Sequence, residues 1–523
     1  MRERLSLRKG RSRAKNWKGK VILSLPPFFH GDLSLSTQAF LRASYGALLF
    51  ATVLITLGPS RWFFTSDRYG GYARSGSFTD RIQNPAVLPW ILALWFLCAA
   101  MMVAGHYTVG SSFINLLLCR YFFIHMRWKG ILRGMGAPGF MTYWLAACVF
   151  FLEYSLHRDP SGVLRPLVVF LFRIDFAAII LSAGFYKLVG GYPRNQGMEY
   201  GLANPWWGYW WRYYQKVPPS HIVFRTLNHL AYGTEIVAGF LMLLPVTWFL
   251  GAWLIILSFL FIATQIRLGF LCEMVMVSAL MYMQPGSLGD QLLRAWIPAP
   301  AAGGQPGSEF LPYVNSVLSL LLWGYILLLP LAHAGLWYNF FARKPLPGVL
   351  QPILERYTNF FGIIIWRVFT LDVVNFFANI FVSDKQSGRR VLYSRFGALD
   401  WNSRFRYRHV GEFVCLASVF TALKYYPSNR SLFEERLMCY ARTVPCPPDS
   451  LVIFEYRSIR KLVEGFEFLP VVEYVVDIHQ RTIQEKVLDE SFSVRVAHDV
   501  SPVHEAGHPG TYAPLGIPRR FTR

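Results

Sequence analysis

The chain has 523 residues, of which 54% are hydrophobic, 17% aromatic and only 16% charged, and its mean hydropathy is +0.32. That composition excludes an ordinary water-soluble globular class and places the chain among polytopic membrane proteins. The net charge of +22 sits mostly in the two tails and a few loops, the pattern of a positive-inside bias and of attraction to anionic lipid head groups, so no nucleic-acid partner is expected.

Residues 1–36 form a basic tail whose first twenty residues carry Arg2, Arg4, Arg8, Lys9, Arg11, Arg13, Lys15, Lys18 and Lys20 against one acid, Glu3. The apolar run begins too late for a cleavable signal peptide, and the tail reads as cytoplasmic. Spans follow at Thr37 to Leu57 and Val87 to Gly105. The piece from Ser111 to Met126 is interrupted by Arg120 and His125 and reads as interfacial, which keeps Arg127, Lys129 and Arg133 cytoplasmic. Further spans fall at Gly139–Ser155, Leu164–Val189, Ile222–Pro245, Thr247–Ile266, Gly269–Met283 and Asn315–Phe341. Each approaches the roughly 20 apolar residues that a bilayer core requires.

The fold expected is an all-α polytopic membrane bundle of about eight spans, range 7 to 10, with a small α/β soluble domain at the C-terminal end. Its divisions are a transmembrane domain over 37–283, an exported loop over 284–312 rich in Gly, Pro and Ala, and additional membrane helices over 313–382. A cytoplasmic mixed α/β domain over 383–500 and a disordered tail over 501–523 follow. Leu451 to Arg457 and Val471 to Ile478 read as strands by their β-branched enrichment and alternation. The apolar stretch Gly362 to Val382 reads as lying in the interface or against the bundle. Both chain ends are expected on the cytoplasmic side.

The ionisable cargo is concentrated between Leu164 and Pro245. Arg173, Asp175 and Lys187 ride in the first apolar run, His229 and Glu235 in the second, and Glu273 in the short run at Gly269. Charges at membrane depth face a bundle interior or a wet cavity and mark functional sites by default. At 100° per residue Arg173 and Lys187 share one face within about 40°, while Asp175, Ser182 and Tyr186 line up within about 20° on another. Such a stripe suits a cavity for a polar head group, so Arg173, Asp175, Tyr186, Glu235 and Glu273 are candidate substrate-binding residues. The competing reading is structural: ion pairing between helices for Arg173 and Asp175, with Glu235 or Arg367 as partners, and snorkelling for Lys187 beside Gly190 and Gly191. Glu273 has Arg267 as its nearest sequence partner. The aromatic cluster from Trp206 to Tyr214 reads as an interfacial belt. No metal site is expected, since there is no CxxC, no HExxH and no Cys/His cluster of ligand spacing, and His229 and Glu235 stand about 120° apart on a helix.

The order Ala183-Gly184-Phe185-Tyr186-Lys187, a loop, Asn204-Pro205, Pro218-Pro219, then Glu235 ahead of Pro245 resembles the core of the horizontally transferred transmembrane (HTTM) domain superfamily. That superfamily includes vitamin K-dependent gamma-glutamyl carboxylase and, more distantly, the lipase maturation factors. The likeness covers roughly Thr37 to Met283. It implies a catalytic base at Lys187, the position that matches the AGxxK lysine acting on a hydroquinone, and a quinone as cofactor. The carboxylase's upstream His has no counterpart near Pro138-Gly139, where the nearest are His125 and His157, and its large lumenal portion is not recognisable. The likeness therefore favours an assembly or maturation factor, or an accessory subunit docking other membrane proteins. The alternative is a membrane enzyme acting on a quinol or lipid with Lys187 as base.

Overall fold

The computed structural model describes residues 32–76, 79–126, 130–132, 136–159, 162–297, 311–342, 344–367, 370–394, 409–425 and 429–490. Nearly all of the basic tail, the C-terminal tail over 501–523, the basic cluster at Arg127, Lys129 and Arg133, and residues 298–310 of the loop over 284–312 lie outside the described residues. The longer helices are α1 (Leu35–Thr56), α2 (Leu88–Ala104), α3 (Thr108–Cys119), α4 (Gly136–His157), α5 (Leu164–Val189), α6 (Ile222–Leu243), α7 (Trp248–Gln265), α8 (Leu271–Ala279), α9 (Leu288–Trp296), α10 (Leu311–Ala342) and α11 (Leu350–Phe361). Two more, α12 (His409–Tyr425) and α13 (Arg430–Ala441), accompany five strands, β1 (Phe376–Asp384), β2 (Arg390–Tyr393), β3 (Ser450–Leu462), β4 (Gly465–Asp477) and β5 (Thr482–Val487).

Among the described residues five helices are long and apolar enough to cross a membrane, namely α1, α4, α5, α7 and α10. The apolar stretches at α2 and α8 are shorter, and α6, although 22 residues long, carries too many polar side chains to qualify. Ser111 to Met126 packs into the bundle. It forms α3 and a following π-helical turn packed between α2 and α4, where Asn115 accepts from the Trp95 indole at 2.8 Å and donates to the Tyr45 hydroxyl at 2.8 Å. Those bonds satisfy Asn115 inside the bundle, while Arg120 donates to the Asn359 carbonyl at 3.3 Å.

The hairpin of α5 and α6 is the closest helix packing in the bundle's centre. A Cβ on Gly184 would sit 2.7 Å from the Ile236 side chain, and one on Gly239 2.5 Å from that of Leu181. Small residues thus let the two backbones approach, as they do where association relies on van der Waals contact.

The five strands form one antiparallel sheet in the order β2-β1-β3-β4-β5. The two strands expected from sequence fall on β3 and β4, which meet across a two-residue turn at Val463 and Glu464. β1 is a correction. Its sequence FFANIFVSD closes the apolar stretch read as membrane helix, yet it pairs along its whole length with β3. Short apolar runs do not distinguish a buried strand from a helix by periodicity. The sheet is no separate domain either: its core is continuous with that of the bundle.

The contacts also place the two ends of the bundle. Ser34, which caps α1, hydrogen-bonds to Asp290 of α9. Arg165 at the start of α5 donates to the Leu33 carbonyl at 2.7 Å, and Asn315 near the start of α10 to that of Arg158 at 3.0 Å. At the opposite end Tyr72, beyond α1, bonds Thr443 at 3.1 Å and stacks on Tyr440. There too Asn204, beyond α5, donates to the carbonyls of Val374 and Phe376 at 2.8 and 2.7 Å. The start of α1 and the sheet therefore lie at opposite ends of the bundle. The start of α1 shares its end with Ser287 and Asp290.

At the rim of the sheet Lys385 donates to Asp477 at 2.6 Å, joining the β1–β2 turn to the β4–β5 turn. That ammonium, together with the amides of Gln480 and His479, holds the Asp477 carboxyl below the usual carboxylate range. A folded-state value below the unfolded one contributes stability that is present above the unfolded value and lost as pH falls through the folded one. Lys385→Ala is accordingly expected to lower the melting temperature at pH 7, with the difference from the parent shrinking as the pH falls below the usual carboxylate range. A difference that stays constant across that acid range would show that the bridge does not set this carboxyl.

Candidate functional site

Helix α5 sends its polar side chains to three sides. Lys187, 5% exposed, hydrogen-bonds and ion-pairs with Glu235 of α6, itself 2% exposed. Asp175 accepts from the Trp144 indole at 2.9 Å and from the Tyr325 hydroxyl at 3.0 Å, bridging α4 and α10. Tyr186 packs on Phe340 of α10, with the Arg367 guanidinium 6.0 Å from its ring. Arg173 donates to the Met281 carbonyl at 2.7 Å and lies 4.4 Å from the Trp248 ring centre, while Tyr282 donates to the Arg173 carbonyl.

Three expectations change. Lys187 does not snorkel, because a carboxylate on the neighbouring helix meets it inside the protein. Glu235 serves Lys187 rather than Arg173. The stripe of Asp175 and Tyr186 does share a face, but that face packs against α10 instead of lining a cavity. Of the six residues singled out in the sequence, the structure brings together only Lys187 and Glu235. Arg267, the expected partner of Glu273, donates to the carbonyls of Pro205 and Gly208 at 2.9 and 2.8 Å.

A second buried cluster adjoins the pair. Asn228 precedes Glu235 by seven residues, which sets it about 20° away on the α6 wheel and about 10 Å along the axis. Its side-chain oxygen accepts from the Met198 amide at 2.8 Å, and its nitrogen donates to Glu199 at 2.7 Å. Glu199, 0% exposed, also accepts from the Gly197 amide and from Lys461 of β3 at 2.7 Å. Lys461 donates as well to the Asn195 carbonyl. One face of α6 thus carries a polar column from the ion pair at the last turn of α5 to the sheet. Sequence reasoning missed Asn228, Glu199 and Lys461; the heptad spacing of Asn228 and Glu235 was the one local signal.

The aromatic loop divides. Trp206 and Trp207 are 1% and 5% exposed, and Trp206 stacks on Phe413 with ring centres 5.6 Å apart. Trp210 and Tyr213 remain exposed at 41% and 67%. The expected belt is thus in part an anchor for the sheet.

Two cavities stand out. A groove of about 850 Å³ lies between α1, α7, α8 and α9 and includes Glu273 in its wall. A smaller one of about 260 Å³ lies between the sheet and α12, beside Trp206, Asn379 and Glu412. Lys187 lines neither. Among the described residues no group of three or more His, Cys, Asp or Glu side chains is placed to hold a metal ion. Cys439 and Cys446 are not bridged. No protein-family model, characterised protein or solved structure matches the chain.

Proposed function

We propose that the chain is a multi-pass membrane protein of HTTM-like layout that serves as an assembly or maturation factor, or as an accessory subunit, of a membrane protein complex. One observation carries the choice over catalysis: Lys187, the lysine the resemblance offers as a base, is buried, bonded to Glu235 and away from both cavities. A general base must reach the proton it removes. The pair and the column beyond it tie the α5–α6 hairpin to the sheet, which suits a rigid docking platform.

Two amphipathic helices support the membrane placement. α9 exposes Leu288, Leu292 and Trp296 at successive turns at the α1-start end, at 74%, 57% and 84%. α11 exposes Leu350, Ile353 and Phe360 beside the other end of α10. Helices of this kind lie in the head-group plane with the apolar face buried. The α1 start, next to the basic tail, is then cytoplasmic, and the sheet lies across the membrane from it. Single cysteines at Asp32 and Glu464 should react with an impermeant maleimide from opposite sides; labelling from one side overturns this topology.

The functional reading is tested by replacing the pair with apolar residues, Lys187→Met with Glu235→Leu. A protein partner recovered at fixed stoichiometry in mild detergent should be retained. A variant that folds but loses all function, with no partner in the parent, sinks the proposal in favour of Lys187 chemistry.

A further inference from the structure

The column on α6 accounts for only some of that helix's polar side chains. Asn228 and Glu235 face inward, whereas Arg225 and His229 are exposed and Tyr232 is half-buried, with the His229 and Tyr232 rings 5.6 Å apart. At 100° per residue Arg225, His229, Tyr232, Ile236, Phe240 and Leu243 fall within about 80° of one another, a single stripe along α6. The stripe changes character along the axis. Over its first 10 Å or so it offers a guanidinium, an imidazole and a phenol, and over the next 16 Å or so only carbon. There Phe240 and Leu243 are exposed, and Phe240 meets the exposed Phe185 of α5 edge to face with ring centres 6.2 Å apart.

The polar part of the stripe lies at the sheet end. Phe224, beside Arg225, rests on Phe466 of β4 with ring centres 5.9 Å apart, and Tyr214 packs on Phe224 at 5.8 Å. In the same loop the exposed Trp210 donates to the Thr264 carbonyl at 3.1 Å, at the end of α7. Exposed tryptophans favour the head-group boundary, so Arg225 stands at that level and the apolar part of the stripe runs down into hydrocarbon. The charge is one-sided. The three acids between Leu164 and Pro245, namely Asp175, Glu199 and Glu235, are all buried. A zwitterionic head group would bring its own cation against Arg225 and His229, whereas an anionic one brings none. The order of cation, weaker polar groups and then carbon follows the order of phosphate, ester and chain in a phospholipid.

We propose that this stripe seats one anionic phospholipid of the leaflet on the sheet side. Its phosphate lies on Arg225, its glycerol and ester groups beside His229 and Tyr232, and one chain along Ile236, Phe240 and Leu243. The inference rests on the membrane placement above. It is independent of the assembly reading and of Lys187, which faces inward to Glu235.

The test uses the full chain in phosphatidylcholine nanodiscs with two diazirine probes, a phosphatidylglycerol and a phosphatidylcholine bearing the same chain. The phosphatidylglycerol probe should label α6 between Tyr232 and Leu243, and unlabelled phosphatidylglycerol should compete where added phosphatidylcholine does not. Arg225→Gln should reduce that labelling about tenfold, the cost of a lost hydrogen bond between charged groups, with the phosphatidylcholine probe unchanged. Should Arg225→Gln fail to fold, His229→Gln, at an exposed position, should lower the same labelling several-fold. Equal labelling by both probes, or labelling indifferent to both substitutions, would show that only bulk lipid lies there and overturns the proposal. Loss of a co-purifying membrane protein on Arg225→Gln, with phosphatidylglycerol labelling intact, overturns it in favour of an acidic partner helix. A protein extractable without detergent would instead refute the membrane placement, so that failure is distinct.

Discussion

Lys187→Ala is expected to be among the most damaging single substitutions in the chain, costing about 3–5 kcal/mol, because it strands a buried carboxylate. Glu235 is 2% exposed, and its Oε2 meets no donor among the described residues even in the intact pair. Removing Lys187 therefore leaves Glu235 to take up a proton or to disrupt the α5–α6 packing. The double variant Lys187→Met, Glu235→Leu should recover most of the loss, since similar-volume apolar residues often match or exceed a buried ion pair in stability. Thermal inactivation in detergent, followed by fluorescence-detected size exclusion, measures both. A harmless Lys187→Ala would mean that water reaches the pair. A double variant no better than Lys187→Ala would mean that the charges, rather than their pairing, hold the hairpin.

Trp206→Ala is the second substitution expected to act strongly, at about 3–5 kcal/mol for a large aromatic deleted from a packed core. Trp206 meets Phe413 of α12 face to face and Phe376 of β1 edge to face, with centres 5.6 and 5.7 Å apart. It thus joins the bundle's loop to both layers of the C-terminal region. Its loss should expose β3 and β4 to limited proteolysis while the bundle helices stay protected. Resistance equal to the parent's would mean that the sheet folds by itself and only rests on the bundle.

The bundle was legible where apolar runs are unbroken. α5 begins and ends where the sequence places it, and α1 and α7 differ by a residue or two, because uninterrupted hydrophobicity is a strong local signal. Partnership was not legible. Lys187 and Glu235 are 48 residues apart, and their meeting depends on the axial register of two helices, which Gly184 and Gly239 set through contact rather than composition. β1 was hidden because FFANIFVSD continues an apolar run, and only its pairing with β3, with Asn379 bonded to Glu455 76 residues on, makes it a strand. The buried half of the aromatic loop was hidden for the same reason: Trp206 and Trp210 look alike until the sheet covers one of them. Glu273 was noticed as a charge in an apolar run, but the groove around it is assembled from four helices.

The bond between Glu199 and Lys461 has a temporal side. The two residues are 262 positions apart, so on the ribosome Glu199 emerges long before its ammonium exists. At about 5–20 residues per second, the wait is tens of seconds at slower rates, ample for α5 and α6 to pair. During it Glu199 has only Asn228 and its own loop amides for company. A nascent chain stopped before β3 should therefore hold an inserted hairpin beneath an unsealed, acid-bearing loop, a natural handle for quality-control factors that distinguish finished chains from interrupted ones.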